Sequence, residues 1–198
     1  MEIRLAADLQ KDSIVDGEGI RTVIWTQGCP HNCLGCHNPI THDFDGGALV
    51  DIDYIKEEID SLDGQDGITF SGGDPFVQPL ACSILASHAK KKGLNIWCYT
   101  GYTFEHLLDL SKIKVDIKKF LDEIDVLVDG KFELSKKSYS VIFRGSTNQR
   151  IIDVKKSLKA KKTVLVEKYV IKESEINSRK RVGIYIWSEF IFTFFFLI

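Results

Sequence analysis

Cys29-Pro30-His31-Asn32-Cys33-Leu34-Gly35-Cys36 carries three thiols in one short stretch, with the spacing C-x3-C-x2-C. Thiolates bind soft metals, and iron–sulfur clusters are held by cysteine thiolates. A closed 4Fe–4S cluster takes four such ligands, and this stretch supplies three of them, Cys29, Cys33 and Cys36. One iron would then lack a protein ligand, as a catalytic zinc keeps an open position, and a substrate could bind there.

The same stretch fits three other chemistries. A zinc ion could take the thiols together with His31, His37 or His42 as the fourth ligand. The segment Cys33–His37 matches the C-x-x-C-H pattern of c-type haem attachment, and its C-x-x-C part matches a thioredoxin-like redox pair. Both of these readings leave Cys29 without a role, and haem attachment implies export, for which the N-terminal residues show no signal peptide. Zinc and an iron–sulfur cluster both stay open on these residues alone.

The composition indicates an ordinary globular protein of the cell interior. The chain has 198 residues, of which 44% are apolar and 27% charged, enough for one domain with a proper core. A formal net charge of −2 gives no electrostatic reason to expect nucleic acid. Five cysteines, three of them in one loop, suit a reducing compartment and metal binding better than a disulfide framework. We therefore expect a cytoplasmic protein.

Short apolar runs alternate with amphipathic segments along the chain. Strands are predicted for the runs rich in β-branched and aromatic residues, at 21–26, 67–70, 94–99, 124–128, 139–143 and 163–166. Helices are predicted where apolar residues recur at helical spacing, at 52–62, 78–92, 104–122 in two pieces, and 147–159. Residues 1–20 look mixed and residues 38–50 look like irregular loop. This alternation predicts an α/β fold, a partial (β/α) barrel of about five or six mostly parallel strands.

A second loop of interest, Ser71-Gly72-Gly73-Asp74-Pro75, follows the strand at 67–70. The two glycines can bring bare backbone amides and carbonyls close to a ligand, and Asp74 could pair with an ammonium group. Ligands of α/β sheets lie at the carboxyl ends of the strands. Because the cysteine loop also follows a strand, we expect the two loops to share one face of the sheet. An amino acid that chelates an open iron would suit such a site.

These motifs together resemble the radical S-adenosylmethionine superfamily, and within it the glycyl-radical activating enzymes. Four further segments resemble those enzymes, and the last three of them resemble in particular the activating proteins of anaerobic ribonucleoside-triphosphate reductases. The segments are Val15–Arg21, Trp97–Thr103, Asp125–Phe132 and Phe143–Arg150. The resemblance covers about residues 1–167, and several motifs in the same order are far more specific than one.

The resemblance implies a specific chemistry. A 4Fe–4S cluster on Cys29, Cys33 and Cys36, reduced by flavodoxin or ferredoxin, would cleave S-adenosylmethionine and give a 5′-deoxyadenosyl radical. That radical would take a hydrogen atom from a glycine in the large subunit of the reductase and leave a glycyl radical there. An activase of another glycyl-radical enzyme, such as pyruvate formate-lyase, is the close alternative. A non-enzymatic zinc- or haem-binding protein is the alternative of a different class.

The resemblance also implies which residues contact S-adenosylmethionine. They would be Gly35, Cys36, His37, Gly72, Gly73 and Asp74, with the Gly73 region at the methionine amino group. His37 stands where the superfamily more often has tyrosine, and its ring could still stack on adenine. The two remaining cysteines, Cys82 and Cys98, are predicted to be small core residues.

The family pattern stops after Glu167, so we divide the chain into an activase domain at 1–167 and an atypical tail at 168–198. The tail is first polar and basic, and then almost wholly apolar at 183–198. A membrane-spanning helix needs about 20 apolar residues, and this stretch is shorter and contains Ser188 and Glu189. A tail anchor is a weak alternative for this stretch, and an added strand or helix on the sheet is another. We expect no membrane association, and we favour the interpretation of the tail as the product of a disrupted reading frame.

Overall fold

Eight strands form one sheet in the computed structural model of this chain, which describes residues 1–170. The strands are β1 (Glu2–Leu5), β2 (Gln10–Ser13), β3 (Arg21–Thr26), β4 (Ala48–Asp51), β5 (Gly67–Gly72), β6 (Asn95–Tyr99), β7 (Val126–Asp129) and β8 (Arg150–Asp153). The helices are α1 (Ile52–Asp60), α2 (Pro79–Lys91), α3 (Phe104–Ser111), α4 (Val115–Glu123) and α5 (Val154–Ala160). Three-residue 3-10 turns occur at Pro39–Thr41, Pro75–Val77, Leu134–Lys136 and Glu167–Tyr169.

The centre of the sheet is parallel and its flanks are antiparallel. The strand order is β4-β1-β3-β5-β6-β7-β8, and β2 also pairs with β3. Strands β3, β5, β6 and β7 run parallel, whereas β1, β2, β4 and β8 pair antiparallel with their neighbours. The prediction of an α/β fold with a largely parallel core is confirmed. Within residues 1–170 the hydrogen-bonded order ends at β4 and β8, so the backbone hydrogen bonds do not show the partial barrel.

One face of the parallel strands packs against the helices. The buried side chains on that face include Ile24, Ile68, Phe70, Ile96 and Leu127, all without exposed surface. They meet apolar helix residues such as Ile59, Leu85, Leu107, Phe120 and Leu121. Burial of each such side chain contributes roughly 1.5–3 kcal/mol relative to exposure. Cys82 and Cys98 are fully buried in the same core, as predicted, and burial raises the pKa of both thiols.

The predictions for the main elements are confirmed, and those for the edges are wrong in several places. The helices at 52–62, 78–92 and 104–122, the last in two pieces, match α1, α2, α3 and α4. The helix predicted at 147–159 begins only at Val154, because the residues before it pair as β8 with β7. Residues 139–143 form turns instead of a strand, and 163–166 contributes only the isolated Leu165–Ile152 bridge. Strands β1, β2 and β4 lie in stretches predicted to be mixed or irregular.

The compact unit of the chain ends at Val166. Beyond it the structure describes only residues 167–170, which include the last 3-10 turn. The apolar segment 183–198, and with it most of the predicted tail 168–198, lies outside the described residues. Among residues 1–170, no helix has the length and apolar character needed to cross a membrane.

Arg21, at the start of β3, is an almost fully buried cation with 1% exposed surface. Its guanidinium donates to Thr69 Oγ1 at 2.7 Å and to the carbonyls of Ile68 and Asn95 at 2.7 and 2.9 Å. Burial lowers the pKa of Arg21 to about 10, so the side chain stays charged at neutral pH. The fork of donors therefore ties the first residues of β3, β5 and β6 together at the amino edge of the sheet.

Arg150 ties β7 and β8 to α3. Its Nε donates to Asp129 Oδ1 at 2.9 Å, and its Nη2 donates to Glu105 Oε2 at 2.7 Å. Asp129 also accepts from the backbone N–H of Phe104, the first residue of α3, at 2.8 Å. The hydrogen bonds from Arg150 hold the pKa of Glu105 at about 2, below its ordinary value of 4.5. Asp129 and Arg150 thus brace the fold at the end of β7.

We expect Glu105→Gln to weaken the protein at neutral pH but not in strong acid. A carboxyl with a lower pKa in the folded state stabilises the fold fully above its unfolded value, here 4.5. That contribution is lost as the pH falls through the folded value of about 2. Urea unfolding should therefore show a deficit for the variant near neutral pH that closes toward pH 2.

Glu57→Gln, at an exposed position of α1, is the control. Its free energy of unfolding should not show a loss at neutral pH that disappears toward pH 2. A difference between Glu105→Gln and the natural protein that stays constant with pH would show that the ion pair with Arg150 does not stabilise the fold.

Candidate functional site

The cysteine loop begins directly where β3 ends. Gly28 and Gly35 have φ values of +93° and +73°, which glycine adopts at little cost, and they turn the chain on either side of Cys29 and Cys33. The base of the loop is closed by hydrogen bonds from Gly28 N to Thr41 O (2.9 Å) and from Cys29 N to the carbonyl of His42 (3.2 Å). Three cysteines are thereby held in one compact loop at the carboxyl end of β3.

The three thiols of the loop are free and partly exposed, whereas the free thiols of Cys82 and Cys98 are buried in the core. Burial raises the pKa of the Cys29 thiol to about 11, and the nearby charge of Asp74 adds to the shift. Within residues 1–170, no three histidine, cysteine or acidic side chains form a group that could hold a single metal ion. The donor set suits an iron–sulfur cluster, because its thiolates bind separate irons and need not meet at one ion.

The loop that follows β5 packs directly on the cysteine loop. Strands β3 and β5 are in parallel register with Thr26 opposite Gly72. Gly73 N donates to Thr26 O at 2.7 Å, and Asp74 N donates to Gly28 O at 2.9 Å. A Cβ on Gly73 would lie 2.3 Å from Gly28 O, so only glycine allows this approach. The prediction that the two loops share one face of the sheet is confirmed.

Asp74 lies in this junction with no exposed surface. Its carboxylate accepts from Phe76 N at 3.0 Å, Thr100 Oγ1 at 2.8 Å and Gly101 N at 3.0 Å, and it lies 2.7 Å from His31 Nε2. The sequence predicts that Asp74 pairs with a cationic ligand group. In the structure its side chain is engaged by protein donors from three loops, and His31 is one of them.

His31 has contacts in this junction that its sequence pattern does not indicate, since the pattern suggests only a zinc ligand. The ring of His31 meets Tyr102 edge to face, with centroids 4.5 Å apart. A Cβ on Gly101 would lie 2.3 Å from His31 Cδ2, so the ring occupies the space beside this glycine. The partners of His31 are 43 and more residues away in sequence, and no local pattern could have revealed them.

The second half of the cysteine loop contacts the segments that follow β7. A Cβ on Gly35 would lie 3.1 Å from Leu134 Cδ1. The exposed ring of His37 lies 5.1 Å from that of Phe132, and a Cβ on Gly145 would be 3.0 Å from His37 Cε1. The loops after β3, β5, β6 and β7 therefore meet around the three thiols. An open cluster there would be flanked by glycine backbone and an exposed aromatic ring.

Comparison with known proteins identifies relatives that match about 70% of this chain. Residues 15–152 match the family model described as "4Fe-4S single cluster domain". The anaerobic ribonucleoside-triphosphate reductase-activating protein of Pasteurella multocida (strain Pm70) is 35% identical over 149 residues, which is 70% of this chain and 90% of that protein. A protein of the same description from Escherichia coli (strain K12) is 35% identical over 69% of this chain and 90% of that protein. The one from Enterobacteria phage T4 is 33% identical over 69% of this chain and 86% of that protein.

We expect Gly73→Ala to disturb the site more than the fold. The added methyl group would meet backbone atoms of Gly28, which cannot move aside as a flexible side chain would, so the two loops must separate. After anaerobic reconstitution with iron and sulfide, the variant should retain less than half the iron of the natural protein, by colorimetric iron determination. Gly64→Ala is the control, since a Cβ there meets nothing within 4 Å and costs only roughly 1–2 kcal/mol for the left-handed backbone. Equal iron in both variants would show that the close contact is not needed.

Proposed function

Because this chain belongs to the family of anaerobic ribonucleoside-triphosphate reductase-activating proteins, we propose that Cys29, Cys33 and Cys36 hold its cluster beside the Gly72–Asp74 loop. The chain is a radical S-adenosylmethionine activase of the anaerobic reductase, with a 4Fe–4S cluster and S-adenosylmethionine as cofactors. When bound and reduced, the cluster supplies the electron that cleaves S-adenosylmethionine to methionine and a 5′-deoxyadenosyl radical.

One observation carries the assignment of the residues. The loop with the three free thiols and the loop with the paired glycines leave adjacent parallel strands and are joined by the Asp74 N to Gly28 O hydrogen bond of 2.9 Å. A ligand that binds an open iron beside these thiols would reach the backbone of Gly72 and Gly73 with its other polar groups. S-adenosylmethionine has such groups in its amino acid part.

The remaining assignments follow from the position of each residue. Gly35 and Cys36 would border the ligand from the second half of the cysteine loop, and His37 would offer its exposed ring to the adenine. Asp74 would support the ligand site indirectly, because its carboxylate is buried and bonded to protein donors, its N–H donates to Gly28 O and its carbonyl accepts from Val77 N. We also propose that the open sheet curls into a partial barrel around this site.

The partner of the reaction is the anaerobic ribonucleoside-triphosphate reductase, whose large subunit would carry the glycine that loses a hydrogen atom. Reduced flavodoxin or ferredoxin would supply the electron. The need for this donor and for the reductase supports a location in the cytoplasm. The domain division at residue 167 belongs to the same proposal, with the activase chemistry confined to residues 1–167. The contacts on which the assignment depends lie between Thr26 and Gly145, well inside that limit.

We expect Cys29→Ala, Cys33→Ala and Cys36→Ala each to abolish the reaction, because each removes one of three thiolate ligands. The natural protein, reconstituted anaerobically, should hold about four irons per chain and cleave S-adenosylmethionine under dithionite. Mixed with the reductase, it should produce a glycyl radical signal by electron paramagnetic resonance. Cys82→Ala, in the core, is the control that should keep the activity.

Three results would contradict the proposal. Loss of activity in Cys82→Ala equal to that of the loop variants would show that the cysteine loop has no special role. Stoichiometric zinc without cleavage of S-adenosylmethionine would favour a non-enzymatic metal site. Cleavage without a radical on this reductase, but with one on pyruvate formate-lyase, would replace the partner.

A further inference from the structure

We propose that His31 is a positioning residue, whose contact with Asp74 clamps the tip of the cysteine loop to the loop after β5. The clamp would set the distance between the cluster ligands and the backbone that holds S-adenosylmethionine. This inference rests on the proposed function, and it adds a residue that is neither a cluster ligand nor a predicted contact of S-adenosylmethionine.

His31 and Asp74 form a buried, hydrogen-bonded pair. The side chains of His31 and Asp74 have 7% and 0% exposed surface, and His31 Nε2 lies 2.7 Å from Asp74 Oδ2. The other partners of the Asp74 carboxylate are N–H and O–H donors, so the carboxylate acts as an acceptor throughout, and we assign the His31 proton to Nε2. A buried acceptor that loses a donor costs free energy, and so the pair resists separation.

The ring of His31 is also fixed by packing. Tyr102 meets it edge to face at 4.5 Å, and the missing side chain of Gly101 leaves the space that the ring fills. Gly101 N and Thr100 Oγ1 both donate to Asp74, so the loop after β6 holds both members of the pair. Three loops are locked together at this point by one ring and one carboxylate.

The position of His31 in the chain gives the clamp its effect. His31 lies between Cys29 and Cys33, while Asp74 directly follows Gly73. The base of the cysteine loop is held separately, by backbone hydrogen bonds from Gly73 N to Thr26 O and from Asp74 N to Gly28 O. Loss of His31 should therefore leave the base in place and release the tip. The thiols should still take up iron, but the site for S-adenosylmethionine should lose its geometry.

The test compares His31→Ala and His31→Gln in the full chain. Glutamine carries an N–H donor at a similar reach, so it can restore the bond to Asp74 without an aromatic ring. After anaerobic reconstitution, His31→Ala should bind about as much iron as the natural protein. Its Kd and KM for S-adenosylmethionine should rise about tenfold, with a smaller change in kcat, and His31→Gln should recover most of this loss.

A second measurement needs neither cluster nor activity. In the metal-free protein, iodoacetamide should alkylate Cys29 about tenfold faster in His31→Ala than in the natural chain, because the loop tip opens more often. The rate is read for each cysteine by mass spectrometry. The buried Cys82 and Cys98 report global unfolding, and their continued protection shows that the variant is folded.

The chain contains a matched control. His88 Nε2 lies 2.8 Å from Asp60 Oδ1, the same pair of groups at the surface between α2 and α1. His88→Ala should change neither the affinity for S-adenosylmethionine nor the alkylation of Cys29. The proposed role of His31 is wrong if a folded His31→Ala variant binds S-adenosylmethionine as tightly as the natural protein and iodoacetamide alkylates its Cys29 no faster. Failure of the natural protein to cleave S-adenosylmethionine would overturn the proposed function instead, and the alkylation rates would still decide whether His31 holds the loop.

Discussion

The parallel pairing of β3 with β5 is the constraint on which the site depends. Six residues of β3 are in register with six of β5, from Arg21 opposite Gly67 to Thr26 opposite Gly72. A shift of one residue would turn every side chain of a strand to the other face and would separate the loops that follow. Arg21 secures this register at the amino edge, while Gly73 and Thr26 secure it at the carboxyl edge. The cysteine loop therefore inherits its position from a sheet that is braced at both ends.

Close backbone approach is the second theme of this structure. Gly73 fits against Gly28, and Gly101 leaves room for the ring of His31. In each case the absent Cβ lets a loop from one strand touch the loop of another. Such contacts hold irregular segments in place without a large apolar core, since polar groups replace side-chain packing. The buried carboxylate of Asp74 illustrates this, with hydrogen-bond donors from the backbone, a hydroxyl and an imidazole.

The sequence predicts what is locally encoded and misses what depends on distant partners. The four parallel strands and four of the five helices within residues 1–170 carry their own apolar pattern, so their places could be found from the residues alone. Strands β1, β2 and β4 are four residues each and exist through their pairing, β1 and β4 with each other across a long stretch of chain and β2 with the nearby β3. The local pattern of the β8 residues predicts a helix. They form a strand because they pair with β7, and this pairing overrides the local preference. The cysteines and glycines of the site follow from motif spacing, whereas the contact of His31 with Asp74 depends on the folded chain.

The fit between Gly101 and His31 has an evolutionary consequence. A methyl group at position 101 would collide with the imidazole, so a larger residue there becomes acceptable only after a smaller one replaces the histidine. Replacement of His31 first would leave the buried carboxylate of Asp74 without one of its hydrogen-bond donors, and replacement of Gly101 first would cause the collision. Either single variant would therefore be less stable than the natural protein. Positions 31 and 101, seventy residues apart, should therefore change together or not at all as this lineage diverges.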